Sequence, residues 1–386
     1  MIRVIKMIEA LYVHIPFCKT KCHYCDFISY PYFDDDLKTR YVEALKKECI
    51  IIENKLKEDI KLKSIFLGGG TPTCLSSGLL LDLLLFIKDF FPLQSQTEIT
   101  VEANPNTLDE NKVDLLLRGG VNRVSLGVQS FNQRLLQNVG REQDIESIYY
   151  SVELLRKKGL KNLNLDLMYG LPGQNIEHWE ETLRSAINLN PEHVSAYQLK
   201  IEENTPLGEK LLGGEIKEFD DEKALEMYKA TRRILGENGY QQYEVSNYAK
   251  VGFESVHNKV YWLSEPYLSL GAGAHSYLPP SRIENLGDVK GYITNLEANN
   301  LPPREEEFQD TKTSMSEFVF MGLRMLEGIE LARFQAYFHK RLEDVFPRAL
   351  EKCLRWGLIQ IDKGHLRLTD EGLYLGNLVF QEFLLD

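Results

Sequence analysis

Three cysteine residues stand close together near the beginning of the chain. Cys18, Cys22 and Cys25 form a Cys-x3-Cys-x2-Cys array directly after a short apolar run. Thiolates at this spacing on one loop can converge on a single metal centre. A cubane iron–sulfur cluster normally takes four cysteine thiolates, so a local set of three leaves one iron open to an exogenous ligand. The array is therefore a candidate site for an iron–sulfur cluster with one open coordination position.

The spacing alone leaves other interpretations open. Soft thiolates also bind zinc, and His14 or His23 would then be the fourth ligand. Two of the cysteines could instead form a disulfide beside a spare thiol, or all three could be small apolar residues of the interior. The remaining cysteines are isolated in the sequence and are predicted to be buried apolar residues: Cys49, Cys74 and Cys353.

The elements that must position the cysteine loop follow from the hydrophobic pattern. Short apolar runs alternate with longer amphipathic segments, a pattern typical of parallel βαβ units. The predicted strands are 11–15, 64–67, 98–102, 123–128, 163–169 and 193–199, and the predicted helices lie near 34–57, 76–90, 109–118, 144–158, 176–188 and 220–238. Six units, rather than the eight of a closed barrel, predict an α/β fold with an open partial (β/α) barrel. Its functional residues are expected on the loops at the carboxyl ends of the strands.

Polar or glycine-rich residues follow these predicted strands. The run from Gly68 to Thr71 lets backbone groups approach a ligand closely, although an ordinary tight turn has the same composition. Glu102 ends the third strand, where a solvated charge is the simpler interpretation. Gln129 ends the fourth strand, where a polar residue that caps the strand is the simpler interpretation. Asp166 lies within the apolar fifth strand, where an unpaired carboxylate would be costly.

Two basic residues follow the same pattern. Arg141, after the fourth strand, is either a surface ion-pair partner or, together with a ligand amine, a candidate partner for Asp166. Lys200 follows the sixth strand.

Further along, the segment 240–277 is rich in aromatic residues and contains His257, Tyr261 and Trp262. A histidine beside aromatic rings is usually packed or hydrogen-bonded, but the same set suits axial ligation and ring stacking of a haem.

The C-terminal part of the chain is predicted to form a separate domain. The polar segment 299–310, with Pro302 and Pro303, is predicted to be a linker between a core domain of residues 1–298 and a domain of residues 311–386. Helices near 312–326, 331–346 and 347–356, followed by a hairpin of 358–361 and 366–369, predict a winged-helix-like fold. Residues 301–386 hold 11 Lys and Arg against 15 Asp and Glu, a net charge of −4, which argues against nucleic acid.

The composition indicates an ordinary globular protein in a reducing compartment. The 386 residues carry a net charge of −12, so a surface that follows phosphate groups is not favoured. Arg3, Lys6 and Glu9 interrupt the N-terminal apolar residues, so neither a signal peptide nor a membrane anchor is predicted. Six cysteines in a chain of this length do not suggest a disulfide framework, and we expect a cytoplasmic location.

The cysteine segment resembles the radical S-adenosylmethionine superfamily. Tyr12 stands six positions before Cys18, His-Ile-Pro-Phe leads into it, and Tyr24 and Phe27 flank Cys25. Within that superfamily the chain is similar to the oxygen-independent coproporphyrinogen oxidases and to the HemW family of haem chaperones. The resemblance is close over residues 12–199 and looser beyond them. It implies a [4Fe-4S] cluster on the three cysteines, with S-adenosylmethionine chelating the open iron.

The resemblance also assigns roles to residues beyond the cluster ligands. The glycine loop would bind the amino group of S-adenosylmethionine, Glu102 its ribose hydroxyls, and 271–276 would close over the adenosine, whereas His275 receives no role. The cofactor-binding set is Tyr12, Tyr24, Phe27, Gly69, Gly70, Thr71, Glu102, Gln129, Arg141, Asp166, Lys200 and Ala274. The His-Asn-x-x-Tyr-Trp motif assigns haem binding to His257, Tyr261 and Trp262.

Three functions then compete. A haem chaperone would bind haem and pass it to haem-requiring proteins, membrane respiratory proteins among them, and it could form oligomers. A coproporphyrinogen III dehydrogenase would decarboxylate propionates, but that branch has a fourth cysteine where this chain has Phe27, and a longer arm than the 17 residues before Cys18. A zinc scaffold would leave the glycine loop and the strand-end polar residues unexplained. The chaperone is favoured, although its intact cofactor set would not be needed by a simple carrier.

Overall fold

One large sheet organises most of the chain. The structure is a computed structural model that describes residues 7–31, 34–56 and 59–385. The strands are β1 Ile8–Ile15, β2 Phe17–Cys18, β3 Tyr30–Pro31, β4 Ile60–Gly69, β5 Leu93–Ala103, β6 Arg123–Gln129, β7 Asn162–Tyr169, β8 His193–Gln198, β9 Gln241–Gln242, β10 Asn247–Ala249, β11 Tyr267–Leu270, β12 His275–Leu278, β13 Ser281–Asn285, β14 Arg304–Phe308, β15 Ile329–Glu330, β16 Ile359–Asp362 and β17 His365–Leu368. The large sheet has the order β14-β13-β12-β11-β1-β4-β5-β6-β7-β8-β10-β9.

Helices cover the sheet and connect its parallel strands. They are α1 Asp35–Glu53, α2 Ser77–Phe90, α3 Glu110–Arg118, α4 Gln133–Asn138, α5 Ile145–Lys157, α6 Ile176–Asn188, α7 Pro206–Leu212, α8 Asp221–Glu237, α9 Val256–Trp262, α10 Val289–Glu297, α11 Thr311–Gly322, α12 Leu331–Phe338, α13 Leu342–Val345, α14 Pro347–Arg355, α15 Asp370–Tyr374 and α16 Gly376–Glu382. The helices that follow the six parallel strands, α1, α2, α3, α5, α6 and α8, each begin after a side chain that accepts a backbone N–H of the first turn. These capping residues fix where each helix starts.

The six predicted units are confirmed. Strands β1, β4, β5, β6, β7 and β8 are successive parallel neighbours. Every residue of β6 is buried, as expected for a parallel strand covered on both faces. The sheet stays open, because β1 continues to the parallel strand β11 and β8 continues to the antiparallel strand β10. The carboxyl ends of the six strands therefore lie along one edge of an open partial barrel.

The predicted linker 299–310 is partly a strand. β14 lies within it and pairs antiparallel with β13 at the edge of the large sheet. All residues of β14 are exposed, so the segment lacks the hydrophobic pattern from which a strand is predicted. The predicted helix 34–57 ends at Glu53 as α1, and Lys57 lies outside the described residues, as do Arg3 and Lys6.

The C-terminal part is a helical domain with a small sheet of its own. Helices α11 to α16 and the sheet β15-β17-β16 enclose a separate hydrophobic core that includes Phe334 and Phe383. The predicted helix 331–346 is divided into α12 and α13, because His339 has a left-handed backbone with φ of 54°. Within the described residues, no helix is both long and apolar enough to span a bilayer.

Candidate functional site

The three cysteines of the array line one cavity at the carboxyl ends of the strands. The cavity has a volume of about 340 Å³, within the roughly 300–1,000 Å³ that is usual for cofactor sites. Cys18 ends β2, and the loop after it is held by backbone hydrogen bonds from His23 N to Val139 O (3.0 Å) and from Leu207 N to His23 O (2.8 Å). All three thiols are free, so the disulfide interpretation does not describe this structure.

The arrangement of the side chains gives no support to a site for a single zinc ion. Zinc needs all its sulfur ligands at about 2.3 Å from one ion, whereas a cubane distributes its thiolates over different irons. Within the described residues, no group of three or more His, Cys, Asp or Glu side chains is placed to hold one metal ion. His14 is also unsuited as a zinc ligand, because its ring nitrogens contact Tyr12 Oη (3.1 Å) and Ile28 O (2.7 Å).

Residues from successive strand ends form the rest of the cavity wall. Most of these residues were predicted from the sequence. The predicted cofactor residues that line the cavity are Tyr24, Phe27, Gly69, Gly70, Thr71, Glu102, Gln129, Arg141, Asp166 and Lys200. Lys200 reaches it from the surface, since its side chain is exposed and pairs with Glu202 (2.6 Å). A pocket in which three thiols face glycine backbone, carboxyl, amide and guanidinium groups suits a polar nucleoside beside a cluster.

Two residues of the predicted cofactor set lie elsewhere. Tyr12 is half-buried and lines a neighbouring cavity instead. Ala274 is buried in the turn before β12, where its N–H donates to Gly271 O (3.2 Å), and it lines neither cavity. Gly273 and His275, which belong to the segment 271–276 predicted to close over the adenosine, line the neighbouring cavity.

The glycine loop clamps the segment that leads into the first cysteine. Gly70 N donates to Ile15 O (2.9 Å) and Thr71 N donates to Phe17 O (2.7 Å). A Cβ atom at Gly70 would lie 2.7 Å from Phe17 O, so the two backbones are too close for any side chain there. Gly69 adopts φ of 104°, which an L side chain rarely tolerates. The glycines therefore serve a close backbone approach as well as an open cavity wall.

Arg141 is a buried connector and not a surface ion-pair partner. It donates to Gly127 O (2.6 Å), Asn104 Oδ1 (2.7 Å), Tyr24 Oη (3.2 Å) and Cys22 Sγ (3.6 Å). The guanidinium thus joins the cysteine loop to the ends of β5 and β6. Asn104, which also donates to the Thr71 hydroxyl at 2.9 Å, was missed by the sequence reasoning, because an Asn before a proline is typical of many turns.

Asp166 does not pair with Arg141. Its carboxylate accepts hydrogen bonds from Ser125 Oγ (2.8 Å) and Asn164 Nδ2 (2.7 Å), both neutral groups on the interior side of the barrel. Burial raises its pKa despite these hydrogen bonds.

Tyr197 was also not predicted from the sequence. It lines the cavity, and its hydroxyl donates to Gln129 Oε1 at 3.0 Å. The alternating polar pattern of β7 and β8 is the signal that could have found these interior groups.

Glu102 is a partly buried acid whose proton affinity is unusually high. Its Oε2 accepts a hydrogen bond from Gly69 N (3.1 Å). Burial first, and then the charge of Asp166, raise its pKa from 4.5 to about 8. A protonated Glu102 at neutral pH can donate as well as accept a hydrogen bond, which suits a hydroxyl-bearing ligand.

The raised pKa of Glu102 predicts a pH-dependent stability. The folded state retains this proton between pH 4.5 and about 8, whereas the unfolded chain releases it near pH 4.5. The contribution of this group to the free energy of unfolding is therefore present at low pH and is lost as pH rises through that window. In the Glu102→Gln variant, urea unfolding of the cluster-free protein should lose less stability between pH 5.5 and 8 than in the parent. An equal slope in both proteins would contradict the prediction.

A second cavity adjoins the first. It has a volume of about 460 Å³, and its aromatic wall consists of Tyr12, Phe27, Tyr261 and Tyr267. Gly69, Glu102, Asp26 and Phe27 line both cavities. The Phe27 side chain is 64% exposed, which is unusual for a large apolar ring, and it stands at the boundary between the two. A ligand in the second cavity would therefore be next to a ligand in the first.

The predicted haem residues are divided among three environments. His257 is 1% exposed, stacks on Phe66 with ring centroids 5.1 Å apart, and contacts Ser64 Oγ (3.0 Å) and Tyr261 Oη (2.8 Å) through its two ring nitrogens. Burial lowers its pKa to about 3. Tyr261 lines the second cavity, whereas the Trp262 ring packs under the Arg324 guanidinium, 5.3 Å away. The packed, hydrogen-bonded interpretation therefore describes His257 in this structure.

The isolated cysteines are mostly interior residues. Cys49 and Cys353 are buried, as predicted. Cys74 is only partly buried and lies near Cys18, at the end of the glycine loop. Cys74 ends the short helical turn that follows the glycine loop and packs against the core only in part, so the prediction of a buried residue is wrong for it.

Comparisons with known proteins agree with this geometry. Residues 12–186 match the radical SAM superfamily model, and residues 309–375 match the HemN C-terminal domain model. The chain is 38% identical over 377 residues to the heme chaperone HemW of Bacillus subtilis (strain 168), covering 97% of this chain and 99% of that protein. It is 35% identical over 384 residues to heme chaperone HemW of Escherichia coli (strain K12), covering 97% and 98%.

A solved structure shares the fold over nearly the whole chain. It is the coproporphyrinogen III oxidase HemN of Escherichia coli, described as a radical SAM enzyme. The TM-score is 0.86 at 24% sequence identity, covering 99% of this chain and 91% of that one. Both the partial barrel and the C-terminal helical domain therefore have a counterpart there.

Proposed function

The chain belongs to the HemW family of heme chaperones, and on that premise we propose that it binds haem and transfers it to haem-requiring proteins. The observation that carries the proposal is the pair of adjoining cavities, one with three thiols and one with aromatic rings and imidazoles. A haem in the second cavity would lie beside the cofactors of the first. Haem handling and the cluster would then be coupled through their shared wall.

Cys18, Cys22 and Cys25 are proposed to hold a [4Fe-4S] cluster, and the strand-end residues to hold S-adenosylmethionine. When bound, the cluster supplies electrons and one open iron for the amino and carboxylate groups of that cofactor. The chain's own contribution is to position and enclose them. Arg141 fixes the cysteine loop, the glycine loop presents backbone atoms, and Glu102 offers a carboxyl group to hydroxyls.

The partners and the location follow from the same proposal. The recipients are haem-requiring proteins, and membrane respiratory proteins among them would be met at the bilayer surface. We further propose that the protein works in the cytoplasm, where a reducing environment keeps the three thiols available. Oligomers of the chain are compatible with this function.

The test is one preparation assayed for two activities. The protein is reconstituted anaerobically with iron and sulfide, titrated with haemin by absorbance, and incubated with coproporphyrinogen III, S-adenosylmethionine and a reductant. We expect saturable haem binding and no protoporphyrinogen IX. Turnover would identify a dehydrogenase instead, and would show that the fourth cysteine of that branch is dispensable.

Two cysteine variants, one inside the proposed cluster site and one outside it, test the cluster assignment. Cys22→Ala should strongly reduce the iron bound after reconstitution, because it removes one of three proposed ligands. Cys353→Ala, in the separate C-terminal core, should bind as much iron as the parent. Equal iron content in the two variants would contradict the cluster assignment.

A further inference from the structure

Three histidines lie around the second cavity, and they differ in what their ring nitrogens contact. His14 and His257 are 5% and 1% exposed, and both ring nitrogens of each are already engaged by protein groups. His275 lines the cavity and its side chain is 57% exposed. Among the described residues, its ring makes no hydrogen bond. Apart from the approach of its Nε2 to Glu284, it is therefore the one imidazole of the three with a ring nitrogen, Nδ1, that no described protein group engages.

His275 also has the neighbour that a metal-binding histidine needs. Its Nε2 lies 3.5 Å from Oε1 of Glu284, which is its register partner on β13. Ligating histidines usually give their other ring N–H to a carboxylate, a backbone carbonyl or water, which orients the ring and strengthens it as a donor. Glu284 is placed to act in this way, so that the remaining nitrogen is available to a metal.

The rings beside His275 form an aromatic surface suited to a flat apolar ligand. Tyr267 and Tyr261 contact edge to face with centroids 4.6 Å apart, and Tyr267 is also 6.3 Å from Tyr277. The exposed Phe27 ring lines the same cavity. Stacking on such rings and ligation by a nearby imidazole are the two interactions by which proteins commonly hold haem.

We infer that His275, and not His257, supplies the axial imidazole to haem, which binds in the second cavity between Phe27 and the Tyr261–Tyr267 pair. The inference rests on the proposed function and names its ligand. His257 then has a supporting role. Its Nε2 contacts the Tyr261 hydroxyl at 2.8 Å, and its backbone N–H is held by Glu98 at 3.1 Å, so it orients a ring of the cavity wall from behind.

The experiment is a haemin titration of the full-length protein containing ¹⁵N-labelled histidine, followed by pulsed EPR of the ferric complex. His275→Ala should lose the nitrogen coupling of a histidine ligand. Its Kd for haemin should rise by at least about tenfold, because even losses in the groups around metal ligands cost 10–100-fold in affinity. In His275→Gly, free imidazole should restore the absorbance spectrum of the parent haemin complex. His257→Gln should keep the coupling, as should the control His365→Ala in the C-terminal domain.

Two results would overturn the inference in different ways. If His275→Ala keeps the histidine coupling and the affinity while His257→Gln loses them, the ligand is His257 and haem binding itself stands. If the parent protein binds haemin no better than an unrelated protein of similar charge, the proposed function fails together with the inference. Because His275 is a surface residue, its substitution leaves the interior of the fold intact, and loss of the signal cannot be ascribed to unfolding.

Discussion

Replacing Arg141 by methionine should lower the free energy of unfolding by at least about 3 kcal/mol, since each hydrogen bond to a charged group contributes about 1.5–3 kcal/mol. The guanidinium is buried and binds Gly127 O and Asn104 Oδ1 at 2.6 and 2.7 Å. Methionine keeps the apolar stem of the side chain but has no donor, so Asn104 Oδ1 loses this hydrogen bond and Gly127 O keeps only the longer one from Gln143 Nε2 at 3.3 Å. The same substitution should sharply reduce bound iron, because Arg141 also contacts Tyr24 and Cys22 of the cysteine loop.

Urea unfolding of the cluster-free protein and iron content after reconstitution measure the two effects separately. Arg134→Met is the matched control, because Arg134 is exposed on α4 and its loss should change stability by no more than about 0.5 kcal/mol. Arg141→Lys keeps the charge but not the planar fork, and should fall between the parent and Arg141→Met. A stable Arg141→Met protein with a full complement of iron would show that the cysteine loop does not depend on this connector.

The parallel part of the fold was predictable because its signals are local. Each buried strand is a short apolar run, and each following helix starts at a capping side chain such as Asp109 or Asp144. The cysteine loop and the glycine loop fall directly after such strands. Their meeting at one edge of the sheet therefore follows from the parallel topology alone.

The remaining features depend on contacts that are distant in the sequence. Arg141 lies 119 residues from Cys22, and His257 lies 193 residues from the Ser64 hydroxyl that holds its ring. No local pattern distinguishes a buried connector from a surface arginine, or an engaged imidazole from a free one. The burial of His257 and the exposure of His275 therefore depend on the folded sheet and cannot be predicted from a sequence motif.

Replacing Gly70 by alanine should both destabilise the fold and reduce cluster binding. The new Cβ would lie 2.7 Å from Phe17 O and 2.9 Å from Ile15 O, which are backbone atoms that cannot turn aside. Overpacking of this kind costs about 1–3 kcal/mol. The strain would be relieved most easily by moving the segment before Cys18, so iron content after reconstitution should fall along with the urea midpoint.

Gly78→Ala separates this steric effect from the general effect of removing a glycine. Gly78 is exposed in the first turn of α2, and a Cβ there would meet nothing within 4 Å. That variant should be neutral or more stable by up to about 1 kcal/mol, because alanine restricts the unfolded chain. If Gly70→Ala behaves like Gly78→Ala, the clamp between the two loops is unimportant. If Gly70→Ala loses iron but keeps its stability, the clamp positions Cys18 for the cluster without contributing to the fold.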